Sequence, residues 1–317
     1  MRDGVRRTWA ACRSAFLAAA LSTGLSGAAS AFDPKIMDSI VAVLPEWPAD
    51  GRSAEEPEGT ATAVLPGGFA ATNVHVLGRA TKVKIRLNDG RLLAAEIVGR
   101  DPPSDIALIK VPLDLPVLSV NAEPKLAERA CAVGNQFGLG LSVTCGVVSA
   151  VRRTAVGFNP VEDFVQTDAV VNPGGSGGAL VDAQGRMVGL VSAIFTKKSD
   201  ANIGVNFAAA MPLVMRVVED LKAHGRVKRT RSGLTVEDLS EAERATLSGA
   251  RIVRIQDDSP AAAAGLKIGD IIVAMDRPVH RSTDVTAAIY LRRPGERAEV
   301  EYLRDGVRAK ATLSFAP

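Results

Sequence analysis

Residues 172–180 read Asn172-Pro173-Gly174-Gly175-Ser176-Gly177-Gly178-Ala179-Leu180, one hydroxyl set among four glycines. A free Gly/Ser linker is a flexible coil, but strand-like runs flank this one, Gln166 to Val171 before it and Ala179 to Val181 after it. A serine on a tight turn inside a sheet-forming stretch suits a nucleophile. Glycines let the backbone bend sharply. The N–H groups of Gly174, Gly175 and Ser176 are placed to receive the oxyanion of acyl transfer, which needs two or more donors.

A serine hydroxyl is inert at neutral pH without a base. The chain holds three histidines. His224 ends an amphipathic helical pattern, where a cation suits the helix dipole. His280 stands beside Arg281, far from any nucleophile turn. His75 remains, in Thr72-Asn73-Val74-His75-Val76. The third member must orient the imidazole and stabilise its cation. Asp105 heads the apolar run Ile106 to Val111, where an unpartnered carboxylate is costly. Asp101, before Pro102-Pro103, reads as a turn residue, and Asp168 lies on the nucleophile's own segment. The expected catalytic set is His75, Asp105 and Ser176. No cofactor is expected, and no CxxC or His-rich spacing points to a metal.

The elements that must position these groups are mostly strands. Thr81 to Leu87 alternates, Asn88-Asp89-Gly90 makes a hairpin turn and Leu92 to Val98 returns. Ile106 to Val111, Val143 to Val151, Phe164 to Val171, Ala179 to Val181 and Met187 to Ile194 follow. Many short strands with turn signals point to β-barrels rather than a parallel sheet. Met211 to His224 is an amphipathic helix, with Pro212 in its first turn and Gly225 past its end. Lys228 to Arg231 is a basic linker. Beyond it, Arg251 to Ile255 and Asp270 to Met275 read as strands, and Ser259-Pro260 opens a short alanine helix that Gly265 ends. A helix over 284–292 and a hairpin turned at Asp305-Gly306 complete a second, small α/β unit. The fold class is mainly β, with barrels followed by that unit.

The 317 residues suffice for about two domains, and 47% are apolar, enough for real cores. Residues 1–31 read as an export leader: Arg2, Arg6 and Arg7, an apolar run from Ala15, then Ala29-Ser30-Ala31 for cleavage before Phe32. The competing reading keeps 14–31 as a membrane anchor, but Ser22, Thr23, Gly24, Ser26 and Gly27 dilute the stretch. This leader carries four Arg and one Asp, the whole chain's formal excess of +3, so the remainder is neutral. No nucleic acid or anionic surface is implied as a partner. Cys12 falls in the leader. Cys131 and Cys145 remain, and an oxidising compartment permits one disulfide between them; the alternative is two small buried residues that never meet.

Thr72-Asn73-x-His75-Val76, Asp105-Ile106-Ala107-Leu108-Ile109-Lys110, Gly134-Asn135-x-Phe137-Gly138 and Gly174-x-Ser176-Gly177-Gly178-Ala179-Leu180 stand in the order found in the Deg/HtrA serine proteases. Gln166-Thr167-Asp168-Ala169 also resembles that family. The resemblance implies a chymotrypsin-like double β-barrel over 32–226 and a PDZ domain over 231–317. It implies endopeptidase activity on unfolded or misfolded envelope polypeptides, homotrimers, and a periplasmic or secreted location. It also gives His75 as general base, Asp105 as its orienter and Ser176 as nucleophile. Val170 is the expected occupant of the substrate pocket, favouring cleavage after small aliphatic residues. PDZ-like domains bind peptide C-termini by strand addition. Here Arg231, Ser232, Gly233 and Leu234 match the carboxylate loop, with the added strand along Leu234 to Val236. Two departures stand out. Gly175 replaces the usual Asn and is expected to loosen the turn, and Glu58-Gly59-Thr60-Ala61 replaces Gly-Ser-Gly. Two other functions stay open: a signalling protease that cuts one membrane substrate, and a non-catalytic binder or holdase.

Overall fold

In the computed structural model, residues 32–46, 58–196 and 202–316 are described. The leader with its cleavage site and anchor alternative, and most of the polar loop 46–58, lie outside them. Strands β1 (Ile40–Glu46), β2 (Gly59–Leu65), β3 (Phe69–Asn73), β4 (Lys82–Arg86), β5 (Leu92–Asp101) and β6 (Ile106–Lys110) close a barrel in the order β1-β2-β3-β6-β5-β4. The short helix α1 (Val74–Leu77) leaves β3. Side chains alternate across a strand, and β6 uses both of its faces. Ala107 and Ile109 join Val41, Val43 and Ile85 in one core, while Ile106 and Leu108 join a second core with Val133, Leu190 and Phe207. This double burial is why β6 reads as an unbroken apolar run.

Strands β7 (Arg129–Gly134), β8 (Ser142–Arg153), β9 (Phe164–Thr167), β10 (Ala179–Asp182), β11 (Met187–Thr196) and β12 (Asn202–Ala210) form the second barrel, in the order β10-β11-β12-β9-β8-β7. The strand expected over 164–171 stops at Thr167. There the Thr167 hydroxyl accepts from Ala169 N–H at 3.1 Å, and Asn206 Nδ2 donates to the Ala169 carbonyl at 3.0 Å. Side chains thus replace the ladder and free the chain to turn towards Ser176. Helix α2 (Met211–His224) has the expected bounds. Its Val214, Val217, Val218 and Leu221 are buried in the core that also holds Ile106 and Leu108. Burial of such side chains contributes about 1.5–3 kcal/mol each.

The C-terminal unit contains β13 (Leu234–Asp238), α3 (Glu241–Arg244), β14 (Ala250–Ile255), α4 (Pro260–Ala263), β15 (Ile271–Met275), α5 (Ser282–Tyr290), β16 (Arg297–Arg304) and β17 (Val307–Ser314). Its sheet runs in sequence order from β13 to β17, so β13 is an edge strand, with α5 packed beside it. Ser259 caps α4 as expected, its side chain accepting from Ala262 N–H. The β16–β17 hairpin turns at Asp305 and Gly306, both at positive φ, as a two-residue type I′ turn requires.

Candidate active site

The imidazole and its carboxylate meet because two chain segments are stitched together. Val74 N–H and Asn73 Nδ2 each donate to the Asp105 carbonyl at 3.0 Å. Asp105 adopts a left-handed φ of 58° at the end of the Asp101–Ser104 turn, a conformation that Asp tolerates better than most residues. Its carboxylate then accepts twice from His75, from the backbone N–H at 2.9 Å and from Nδ1 at 2.6 Å. A carboxylate only accepts, so the bond needs a proton on Nδ1, and in that tautomer Nε2 is the ring nitrogen left to accept one. The His75 side chain is 47% exposed and that of Asp105 13%, so the orienting group is the shielded one.

Ser176, from the second barrel, is tied to the segment that carries His75. Its Oγ donates to the Ser192 carbonyl at 3.4 Å, and Ser192 Oγ accepts from Asn73 Nδ2 at 3.2 Å. Asn73 therefore ties the segment before His75 to the strand beside Ser176. β2 of the first barrel grips the nucleophile loop as well. Thr60 N–H donates to the Ser176 carbonyl at 2.9 Å, and the Thr60 and Thr62 hydroxyls donate to the carbonyls of Gly174 (2.6 Å) and Gly177 (3.0 Å).

The turn at 172–175 decides the oxyanion donors. Gly175 N–H donates to the Asn172 carbonyl at 2.9 Å, and Gly174 sits at φ +89°. Pro then Gly at the two central positions is the type II pattern, which needs positive φ at the second. The Gly175 N–H expected as an oxyanion donor is spent closing the turn, which leaves the N–H groups of Gly174 and Ser176 as the candidates. Phe137 N–H donates to the Pro173 carbonyl at 2.7 Å. In a trans peptide C=O and N–H point oppositely, so this bond fixes where Gly174 N–H is aimed. Against the looseness expected from Gly175, Pro173 is held from outside by that bond. Glu58 holds the segment that carries Phe137: its carboxylate accepts from Asn135 Nδ2 at 3.1 Å and pairs with Arg86.

The rejected candidates lie elsewhere. Asp168 accepts from Val147 N–H at 2.7 Å, His280 Nδ1 bonds the Ser248 hydroxyl at 2.7 Å, and His224 is exposed at the end of α2. Cys131 and Cys145 face each other across β7 and β8 and are joined as a disulfide. Val170 is 42% exposed, while its neighbour Val171 is buried at 3% beside Gly175. Among the described residues no cluster of His, Cys, Asp and Glu could hold a metal.

The expected carboxylate loop borders a cavity lined by Arg229, Ser232, Leu234, Ile289 and Tyr290. Ser232 Oγ accepts from Leu234 N–H at 3.2 Å, and Gly233 has φ +77°. Leu234 and Val236 lie half-buried on the open edge strand β13. Arg231 is held in a backbone pair with Ala316 at 2.9 Å, and Arg229 is the guanidinium lining the cavity. Tyr290, from the same cavity, donates its hydroxyl to the buried Asp101. The sequence named Asn73 and Thr60 without a role, and no signal singled out Ser192, Gln136 or Tyr290.

Family models match this chain as a trypsin-like peptidase domain over residues 59–190 and a PDZ domain over residues 214–315. Among curated proteins it is 37% identical over 284 residues to a probable periplasmic serine endoprotease, DegP-like, of Ectopseudomonas mendocina, covering 86% of this chain and 60% of that protein. It is 36% identical over 258 residues to the periplasmic serine endoprotease DegP of Escherichia coli K12, covering 78% and 54%. The chain therefore spans little more than half the length of these relatives. Among solved structures, an HtrA-type protease, AlgW, with a decapeptide superposes with a TM-score of 0.67 at 30% identity, over 88% of this chain and 95% of that one. A serine endoprotease from Yersinia pestis gives 0.59 at 30% identity, over 88% and 94%.

Proposed function

Because the chain belongs to the HtrA-type serine proteases, we propose that it cuts polypeptides in the cell envelope by an acyl-enzyme route through His75, Asp105 and Ser176. Ser176 Oγ attacks the scissile carbonyl and His75 Nε2 takes its proton, later passing that proton to the leaving amine. Asp105 holds the ring in the required tautomer and stabilises the imidazolium. The N–H groups of Gly174 and Ser176 receive the oxyanion. The observation that carries this reading is the 2.6 Å Nδ1–carboxylate bond of His75 and Asp105, in a cleft tied to Ser176 through Asn73 and Ser192. The type II turn at Gly174 favours a working protease over a holdase. Unfolded envelope proteins are the proposed substrates, and the periplasm the proposed location, in keeping with the relatives' names. No helix among the described residues is long and apolar enough to cross a membrane.

The test is labelling by a fluorophosphonate together with degradation of casein by the purified protein. Both activities should be present and both should vanish in Ser176→Ala. Labelling that persists in Ser176→Ala would place the nucleophile elsewhere.

A second reading, a protease switched on by a C-terminal peptide, is favoured by one contact. Tyr290 lines the cavity beside the carboxylate loop and bonds Asp101, four residues before Asp105. A peptide docked along β13 would then bear on the turn that carries the triad carboxylate.

A further inference from the structure

Gly174-Gly175 leaves the half of the turn next to Ser176 without side chains. The brace comes from the segment after β7, which touches three successive residues of the turn. Gln136 Oε1 accepts from Asn172 Nδ2 at 2.8 Å. Phe137 N–H donates to the Pro173 carbonyl, and the Asn135 carbonyl lies where a side chain at Gly174 would stand. Two of these contacts are backbone and could be made by many sequences. The Gln136 contact depends on the side chain. Gln136 is 7% exposed, and its Cγ lies 3.6 Å from the point where a Cβ on Gly175 would fall. Its side chain therefore passes over the bare glycine and ends on Asn172, whose carbonyl closes the turn with Gly175 N–H.

We propose that Gln136 is a positioning residue for the oxyanion donors, supplying from outside the turn the restraint that Gly175 cannot supply from within. The proposal rests on Ser176 being the nucleophile and adds how its turn is kept in register. Without the amide, Asn172 can rotate, the hydrogen bond closing 172–175 weakens, and Gly174 keeps only the Phe137 bond before it and the Thr60 bond after it. The donor then spends less time aimed at the oxyanion. Substrate binding, made by other surfaces, is untouched, so the loss falls on kcat rather than KM.

Gln136→Met keeps the length of the side chain and removes the acceptor; Gln136→Glu keeps an acceptor. With labelled casein, Gln136→Met should lower kcat by roughly fivefold, the size of one partly buried hydrogen bond, with KM and the thermal midpoint unchanged. Fluorophosphonate labelling of Ser176 should slow by the same factor, and Gln136→Glu should recover most of it. Asn172→Ala removes the same bond from the other side, so the double variant with Gln136→Met should be no slower than either single one. Wild-type kcat and labelling in Gln136→Met would overturn the proposal. So would a loss shared by Gln136→Glu and accompanied by a lower thermal midpoint, the mark of a merely structural role. Either result leaves the triad standing provided Ser176→Ala abolishes labelling; labelling that survives in Ser176→Ala would instead remove the reading beneath.

Discussion

Tyr290 of the C-terminal unit donates its hydroxyl to Asp101 of the first barrel, and the same carboxylate accepts from the Ser104 hydroxyl immediately before Asp105. Arg229 stands 3.9 Å from the other oxygen of Asp101. Burial, then the neighbouring Asp101, pushes the Tyr290 hydroxyl far above its ordinary range, so it stays a donor at every working pH. A peptide carboxylate entering the cavity lined by Arg229 and Tyr290 would compete with Asp101 for both. Tyr290→Phe should therefore reduce the change in kcat/KM that a C-terminal peptide produces, with peptide affinity retained. An undiminished response in that variant would show that the signal takes another route.

The Asp105 carboxylate accepts two hydrogen bonds from His75, so its replacement tests orientation apart from bulk. In Asp105→Asn the amide nitrogen can donate to Nδ1, which places the ring proton on Nε2 and removes the base. A drop in kcat of about 10⁴-fold is expected from the wrong tautomer alone, with little change in thermal stability. A loss under tenfold on casein would mean that another group orients the ring.

Much of the candidate site was legible because the proposed chemistry needs rare residues. With three histidines in the chain, elimination led to His75, and the glycines around Ser176 mark a turn whatever the fold. Helix α2 was legible to its ends because Pro212, Gly225 and the valine spacing all agree. The clamps were not legible. Thr60, Ser192 and Gln136 are ordinary polar residues that acquire a role only when strands far apart in sequence become neighbours; Thr60 and Gly174 are bonded across 114 positions. β12 was missed because Phe207-Ala208-Ala209-Ala210 carries no period-two alternation, Phe207 and Ala209 being buried in one core and Ala208 and Ala210 in another. The contacts around Gly175 were hidden for a related reason: a loose turn is inferred from the turn's own residues, whereas Gln136 and Phe137 reach it from another loop.

Asp163 gives a pH test with a definite sign. It is buried beneath the C-terminal unit, its Oδ1 has no hydrogen-bond partner among the described residues, and Arg277 Nη1 is 3.5 Å from Oδ2. Burial pushes its carboxyl above the ordinary value of 3.8; Arg277 and Arg152 oppose the shift and Asp284 adds to it. A folded-state value above the unfolded one means that the folded form holds the proton longer. The group's favourable contribution is thus full below 3.8 and is lost as pH rises through the folded value. Asp163→Asn has no such loss. The thermal midpoint of Asp163→Asn minus that of the wild type should grow more positive from pH 3.5 to 7, and a difference that shrinks would contradict the burial argument.

The Cys131–Cys145 bond closes a loop of sequence separation 14 partway along the β7–β8 ladder, whose connecting segment carries Gln136 and Phe137. Loop closure of that length stabilises by about 3 kcal/mol in the chain-entropy account. Cys145 is exposed, so a thiol reductant can reach it. Reduction, or the pair of substitutions Cys131→Ala and Cys145→Ala, should lower the thermal midpoint by several degrees, measured with and without reductant. An unchanged midpoint would mean that the barrel's ladders fix the hairpin without the bond.

Substrate preference separates two adjacent valines. Val170 keeps 42% of its surface exposed, and its carbonyl is taken by the Thr144 hydroxyl. Val171 is buried at 3%, and its Cγ1 lies 3.3 Å from the point where a Cβ on Gly175 would stand. A side chain under the nucleophile turn limits the depth of the substrate pocket, whereas one beside it does not. Both residues are apolar, so the native protein should cut after small aliphatic residues and not after Lys or Arg. Val171→Ala should deepen the pocket and raise kcat/KM for substrates with Leu or Phe before the cut. Val170→Ala should leave that ranking as it was. Mapping cleavage sites in casein by mass spectrometry for the three proteins decides the matter: a ranking altered by Val170→Ala alone would move the pocket floor back to Val170, and preferred cleavage after Arg would remove the apolar pocket from both.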